Sequence, residues 1–183
     1  MIDYGNRIVM KYILLGLLSI SFNLQAVDQT CRSETEFPSS TPSEDFEINN
    51  NGTVVHQASG LMWQQCAHGF DGADCSNGNV ITLNWSEALE LAEASNFAGY
   101  NDWRLPNLKE LFTIVEQRCK YPSMSLTVFP FIYSNNSPYR FFWTSTPDLS
   151  SDNYARAIDF SFGQAVSPWR NNLNRVRLVR DNK

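Results

Sequence analysis

The segments Asn84-Trp85-Ser86-Glu87-Ala88-Leu89 and Asn107-Leu108-Lys109-Glu110-Leu111-Phe112 decide the fold class, because both begin a helix in the same way. In each, an asparagine precedes a glutamate by three residues, the capping-box arrangement that satisfies free backbone N–H groups at a helix start. Apolar side chains then recur at helical spacing, as Trp85, Ala88, Leu89 and Ala92 and as Leu108, Leu111, Phe112 and Val115. We therefore expect two short amphipathic helices whose apolar stripes face a core.

Strand patterns flank this helical region on both sides. Residues 46–48 and 53–56 alternate around an Asn-Gly turn, which predicts a β-hairpin, and residues 61–63 add a further strand. After the helices, aromatic and β-branched runs predict three late strands, at residues 141–145, 155–160 and 175–179. A hairpin, two helices and then strands is the order of an α+β fold, in which two helices pack on an antiparallel sheet. The length suits one domain.

The N-terminal segment predicts export. Lys11 precedes an apolar run, residues 12–22, that is too short for a membrane span and typical of a secretory signal peptide. We expect residues 1–26 to be removed, with Met10 an alternative native start; an uncleaved membrane anchor is the alternative. Residues 27–43 are rich in Ser, Thr, Pro and Glu and predict an extended lead-in, so the folded domain is expected over residues 44–183. The expected location is the periplasm or the bacterial cell surface.

All four cysteines lie in the predicted mature part, and an even number in an oxidising compartment predicts two disulfides. Three pairings are possible, and proximity favours Cys66 with Cys75, which leaves Cys31 with Cys119. A four-thiolate zinc site is the alternative, but structural zinc prefers two close C-x(2–4)-C pairs, and this spacing supplies none. We expect no cofactor and no metal.

The charge argues against a nucleic-acid partner. Without Asp3, Arg7 and Lys11, which belong to the predicted leader, 18 acidic residues face 12 basic ones. Positive charge is concentrated near the C-terminus, at Arg156, Arg170, Arg175, Arg177, Arg180 and Lys183. No membrane span is expected after signal cleavage, and the oligomeric state stays open.

Several phrases in a fixed order carry a family resemblance: Asn51-Gly52-Thr53-Val54-Val55, Ser59-Gly60-Leu61-Met62-Trp63, Trp85-Ser86-Glu87-Ala88-Leu89, Ala98-Gly99-Tyr100-Asn101-Asp102-Trp103-Arg104-Leu105-Pro106-Asn107, Lys109-Glu110-Leu111, Phe129-Pro130, Trp143-Thr144-Ser145-Thr146-Pro147, Ile158-Asp159-Phe160 with Gly163, and Val176-Arg177-Leu178-Val179-Arg180. Over residues 46–180 the chain resembles the Lcl C-terminal domain family, named for the end of a collagen-like bacterial adhesin. The resemblance implies a fold similar to C-type lectins and sulfatase-modifying factors. It also implies a surface or periplasmic binding module without enzyme activity, in some members an adhesin for host or matrix polysaccharide.

The late loop, residues 163–174, is the best candidate for ligand binding. It lacks a packing period, yet it offers an aromatic face, a cation and several amides, the groups that recognise sugar hydroxyls or a protein epitope. The resemblance implies that late loops form the binding face, which gives the candidates Trp169, Arg170, Asn171, Asn172 and Asn174. The alternative is a solvated loop with Trp169 folded onto the core.

Three other groups of residues have structural interpretations. Glu47-x-Asn49-x-Asn51-Gly52 resembles a calcium loop, but Ala58 stands where a bidentate Glu is required, so we expect a plain hairpin turn. Asp102 and Arg104 are expected to satisfy helix-start backbone groups and each other. The tryptophans expected in the core are Trp63, Trp85 and Trp143.

Catalysis is not expected, because neither histidine, His56 nor His68, lies in a catalytic or metal-binding motif. A hydrolase would need an acid–base pair that the sequence does not supply. We therefore expect a non-catalytic exported module that binds a polysaccharide or a protein. The alternative is a structural or assembly subunit of an envelope complex without a soluble ligand.

Overall fold

The computed structural model describes residues 29–130 and 141–183. The predicted signal peptide, residues 1–26, lies outside the described residues. In the two described ranges, no helix is long and apolar enough to cross a membrane.

Both predicted helix starts are confirmed. Helix α1 spans Trp85–Ala94 and helix α2 spans Leu108–Phe112. The Asn84 side chain accepts from the Glu87 N–H at 3.0 Å, while the Glu87 carboxylate accepts from the Asn84 N–H at 2.9 Å. Asn107 and Glu110 make the same reciprocal pair at 3.0 and 2.8 Å. These capping boxes fix where each helix begins.

Helix α2 is shorter than the apolar pattern predicts. After Phe112 the chain continues in tight turns, and the Val115 N–H donates to the Phe112 carbonyl at 3.1 Å, three residues back. Val115 is nevertheless buried. The apolar spacing therefore persists through these turns although the helix has ended.

In the described ranges the strands are, in chain order, β1 (Thr30–Cys31), β2 (Phe46–Ile48), β3 (Thr53–His56), β4 (Leu61–Gln64), β5 (Phe70–Asp71), β6 (Asn77–Gly78), β7 (Cys119–Lys120), β8 (Phe141–Pro147), β9 (Ala155–Asp159), β10 (Gln164–Val166) and β11 (Val179–Asp181). Every strand pairing is antiparallel. The larger sheets are β11-β4-β3-β2 and β10-β9-β8, and two short ladders pair β1 with β7 and β5 with β6. The α+β class is thus confirmed.

The late strands differ from the prediction in two places. Strand β11 begins only at Val179, whereas the pattern predicts a strand over residues 175–179. Arg175 instead forms a single bridge with Phe142. Strand β10 lies inside the late loop, where no strand is predicted, and it pairs with β9. A quarter of that loop is therefore part of a sheet.

The core consists of two clusters of buried side chains. One surrounds Trp63, Leu111 and Phe142, and the other surrounds Trp103, Trp143 and Leu178. Trp63 and Trp143 are fully buried, as predicted, and the Trp143 indole N–H donates to the Leu83 carbonyl at 2.8 Å. Trp85 is half-buried and packs on the edge of the second cluster.

Both predicted disulfides are confirmed, Cys66–Cys75 and Cys31–Cys119. No cysteine within the described part of the chain is free. All four sulfurs are used in these bridges, which rules out the four-thiolate zinc alternative.

The lead-in is attached more firmly than its composition suggests. Strand β1 pairs with β7 beside the Cys31–Cys119 bridge. Farther along, the buried Glu116 carboxylate accepts from the Ser39 hydroxyl, from the Ser40 N–H at 3.2 Å, and from the Thr41 N–H and hydroxyl at 3.2 and 2.9 Å. Polar contacts, which an apolar pattern does not reveal, hold this segment against the domain.

Candidate functional site

The late loop presents an aromatic side chain on a fixed base. Trp169 is 54% exposed, and its backbone forms an antiparallel bridge with Tyr154. The two rings lie 5.2 Å apart, and the Trp169 carbonyl accepts from the Asn172 N–H at 2.9 Å. The alternative in which Trp169 folds onto the core does not describe this structure.

Arg170 connects the late loop to neighbouring parts of the domain. Its guanidinium lies 4.3 Å above the Trp85 ring, and its Nε donates to the Tyr154 carbonyl at 3.1 Å. Its backbone N–H donates to Asn153 at 2.8 Å, and its carbonyl accepts from the Trp85 N–H at 2.9 Å. These contacts fasten the loop to the start of α1, so Arg170 positions the neighbouring residues.

The three predicted asparagines separate into two groups. Asn171 and Asn172 are exposed beside Trp169. Asn174 is 3% exposed, and its backbone exchanges two hydrogen bonds with Leu83, at 2.9 and 3.0 Å. Asn174 is therefore part of the interior and cannot contact a surface ligand. We call the exposed set Trp169, Asn171 and Asn172 the late face.

A carboxylate network braces the chain just before the late face. Asp148 accepts from the Ser150 hydroxyl at 2.5 Å, from the Ser167 hydroxyl, and from Arg156 at 3.3 Å. Arg156 in turn donates to Ser167 at 2.8 Å. Hydrogen bonds from Ser150 and Ser167 hold the pKa of Asp148 well below its usual value. The Asp148 carboxylate is therefore ionised at neutral pH.

The C-terminal arginines do not form an exposed basic patch. Arg175 and Arg177 are 2% and 0% exposed, and Arg180 is 7% exposed. Arg180 pairs with Asp102, Nε to Oδ1 at 2.6 Å, and lies 4.1 Å from the Tyr100 ring centre. These three arginines, half of the basic residues that the sequence concentrates near the C-terminus, are therefore buried inside the fold.

The expected pairing of Asp102 with Arg104 is wrong. Arg104 binds Glu110 in a bidentate pair at 2.7 and 2.9 Å and reaches Asp181 at 3.1 Å. Asp102 instead binds Arg180. Strand β11 supplies Arg180 and Asp181, and it lies too far along the chain for sequence spacing to reveal these two partners. Glu110, the main partner of Arg104, comes from α2, only six residues away.

A second concave region lies between the β2–β3 turn and the loop closed by Cys66–Cys75. We call it the amide groove. It has a volume of about 610 Å³, and its lining includes the turn residues Asn49, Asn50 and Asn51 and the loop residues His68 and Asp71. The sequence predicts a turn and a loop here, but not that they face each other.

The two histidines differ in their surroundings. His56 stacks on Phe46 with ring centres 4.5 Å apart, and its Nδ1 lies 2.8 Å from the Ser59 hydroxyl. Burial lowers the pKa of His56, and Asp45 partly opposes this. His68 lines the amide groove, and burial lowers the pKa of its imidazole. Among the described residues, no group of three or more His, Cys, Asp or Glu side chains could hold a metal ion.

Taken together, the fold and the late face define a disulfide-closed α+β domain that carries a braced, exposed aromatic side chain. The sequence model described as the Lcl C-terminal domain matches residues 52–180. This covers well over half of the chain, which therefore belongs to the Lcl C-terminal domain family. A search of curated proteins gave no match.

Proposed function

We propose that this protein is an exported, non-catalytic binding module with a C-type lectin-like fold. It recognises a polysaccharide or a protein in the periplasm or at the cell surface, and the late face makes the contact. The observation that carries the proposal is the half-exposed Trp169 held on a fixed base.

A braced tryptophan is well suited to binding. Contact between its apolar ring and water is unfavourable. A ligand that covers the ring removes this contact, which contributes favourable free energy to binding. The bridge to Tyr154 and the support from Arg170 fix its backbone before a ligand arrives. Less conformational entropy is then lost on binding. Asn171 and Asn172, exposed in the turn after Trp169, add amide donors and acceptors to the same surface.

The setting supports an extracytoplasmic role. Two disulfides close the domain, and such bridges persist in oxidising compartments. Membership of a family named for an adhesin domain agrees with binding at a surface. The competing function, an assembly subunit of an envelope complex, would use the same face against a protein partner.

The test measures binding of the mature protein to immobilised glycans and to an envelope extract. Trp169→Ala is expected to weaken the interaction by about tenfold or more, because central aromatic anchors dominate binding energies. The matched control is Phe162→Ala, since Phe162 is 46% exposed and packs on Tyr121 instead. If Trp169→Ala binds as tightly as Phe162→Ala, the late face is excluded as the binding surface. Stoichiometric capture of one envelope protein without glycan binding would favour the assembly subunit.

A further inference from the structure

The amide groove is a second candidate site that shares no residue with the late face. Its volume, about 610 Å³, falls in the range of about 300 to 1,000 Å³ that is typical of small-molecule sites. Its residues come from two separate walls and a floor.

The first wall is the β2–β3 turn, which internal hydrogen bonds hold in place. The Asn49 N–H donates to the Thr53 carbonyl at 2.9 Å. The Asn51 side-chain oxygen accepts from the Thr53 N–H and hydroxyl at 3.2 and 2.7 Å. The Gly52 carbonyl accepts from the Gln65 N–H at 2.9 Å, which ties the turn to the floor.

The second wall is the loop closed by the Cys66–Cys75 bridge. Its strand β5 pairs with β6, which follows Cys75, and the Asn79 N–H donates to the Gly69 carbonyl at 3.0 Å. The bridge and the short ladder limit how far this wall can move away from the turn.

The floor is held from inside the protein. Arg177 is fully buried, and its Nη1 donates to the carbonyls of Gln64, at 2.8 Å, and Gln65. Both glutamines line the groove. The walls and the floor are all held in place in the folded domain. Little conformational entropy of the protein would therefore be lost when a ligand binds in the groove.

Four polar side chains in the groove are uncommitted. Within the described part of the chain, no side-chain hydrogen bond is made by Asn50, His68, Asp71 or Thr127. Burial lowers the pKa of His68, so its ring is neutral at pH 7 and offers one donor and one acceptor. Phe70 and Phe97 add apolar ring surface to the lining.

The charge of the lining restricts the ligand. Among the described lining residues there is no lysine or arginine, and Asp71 is the one acidic residue. A sulfated or carboxylated ligand would meet this carboxylate without a compensating cation. Amide, imidazole and carboxylate groups beside aromatic rings match a ligand with many hydroxyls and apolar C–H faces. We propose that the amide groove binds an uncharged saccharide, independently of the late face.

The experiment uses the mature protein and calorimetric titration with uncharged oligosaccharides built from glucose, mannose, galactose or N-acetylglucosamine. Heparin fragments and polyuronates serve as anionic comparators, and a mixed peptide library serves as the protein comparator. Ala73→Trp fills the groove from an exposed lining position. Ser76→Trp is the matched control, because Ser76 is exposed next to Cys75 and lies outside the lining.

We expect at least one uncharged oligosaccharide to bind, and Ala73→Trp and Asp71→Asn each to weaken it by about tenfold. Ser76→Trp and Trp169→Ala should leave that binding unchanged. If Ala73→Trp lowers the melting temperature, Asp71→Asn at its exposed position provides the measurement instead.

Any of the following results would overturn the proposal: no uncharged oligosaccharide binds, Ala73→Trp and Asp71→Asn bind as the wild type does, or only the anionic or peptide ligands bind. Loss of the uncharged oligosaccharide in Trp169→Ala alone would assign that ligand to the late face and also overturn it. Binding that survives Trp169→Ala and is lost in Ala73→Trp supports the groove even where the late-face proposal fails.

Discussion

Replacing Glu116 by glutamine should destabilise the domain, because both carboxylate oxygens face backbone donors. Oε1 accepts from the N–H groups of Ser40 and Arg118, each at 3.2 Å. Oε2 accepts from the Thr41 N–H at 3.2 Å. In either orientation, the NH₂ group of glutamine would therefore point at a backbone N–H. At least one buried donor would lose its acceptor.

The expected cost is about 3 kcal/mol, since a hydrogen bond to a charged group contributes about 1.5 to 3 kcal/mol and an unsatisfied buried donor adds to the loss. For a domain of this size, each kcal/mol lowers the melting temperature by about 2 to 4 °C, which predicts a fall of about 6 to 12 °C. Thermal unfolding followed by circular dichroism measures it. Glu36→Gln is the matched control, because Glu36 is exposed in the same lead-in.

The pH dependence provides an independent check. Burial raises the pKa of Glu116, but hydrogen bonds from Ser39, Arg118 and Ser40 outweigh it and hold the pKa below the usual 4.5. Since the folded pKa is lowered, this stabilisation is complete above pH 4.5 and is lost as the pH falls through the folded value. The difference between wild type and Glu116→Gln should shrink below pH 4.5. A melting temperature for Glu116→Gln within about 1 °C of Glu36→Gln at pH 7 would refute the reasoning.

Replacing both cysteines of the Cys66–Cys75 bridge by alanine should reduce the free energy of unfolding by about 2 to 4 kcal/mol in denaturant titrations; an unchanged midpoint would contradict this. Gly163→Ala, at φ +67° with the new Cβ 2.7 Å from the Val115 side chain, should reduce the free energy of unfolding by about 2 kcal/mol or more. Its control Gly60→Ala, at φ +66° in open space, should lose about 1 kcal/mol from backbone strain alone; equal losses would show that the valine contact is unimportant. His68→Gln should flatten the decline in stability below pH 6.5, since a lowered histidine pKa makes the folded state less stable as the pH falls below its usual 6.5; an unchanged slope would argue against the burial of this ring.

Local chemistry made much of the fold predictable. The capping boxes at Asn84 and Asn107 set both helix starts, and the Asn-Gly turn set the first hairpin. These features depend on residues within a few positions of one another, so the sequence displays them directly. The pairing of Cys66 with Cys75 was predictable for the same reason.

Long-range partners were not predictable. Glu116 binds residues about 75 positions earlier in the chain, and Asp102 binds an arginine 78 positions later. A polar side chain gives no periodic pattern from which its partner can be read. The end of α2 was missed because Val115 keeps the helical spacing of apolar residues in a non-helical turn.

The candidate site was predictable only in part. Composition identified the late loop, but it could not separate the exposed Trp169 from the supporting Arg170 and the buried Asn174. The amide groove escaped prediction because its two walls belong to separate segments, each of which resembles an ordinary connection.

The bridge between Cys31 and Cys119 joins positions 88 residues apart, and this decides how the domain would carry mechanical load. A pull applied to the chain just before Cys31 passes across the sulfur atoms to Cys119. The hairpin, both helices and both walls of the amide groove then lie off the path of the tension while the bridge is intact. Stretching could lengthen only the segment after Cys119, by at most about 3.6 Å per residue. Reducing agent would place the shielded part under the same load.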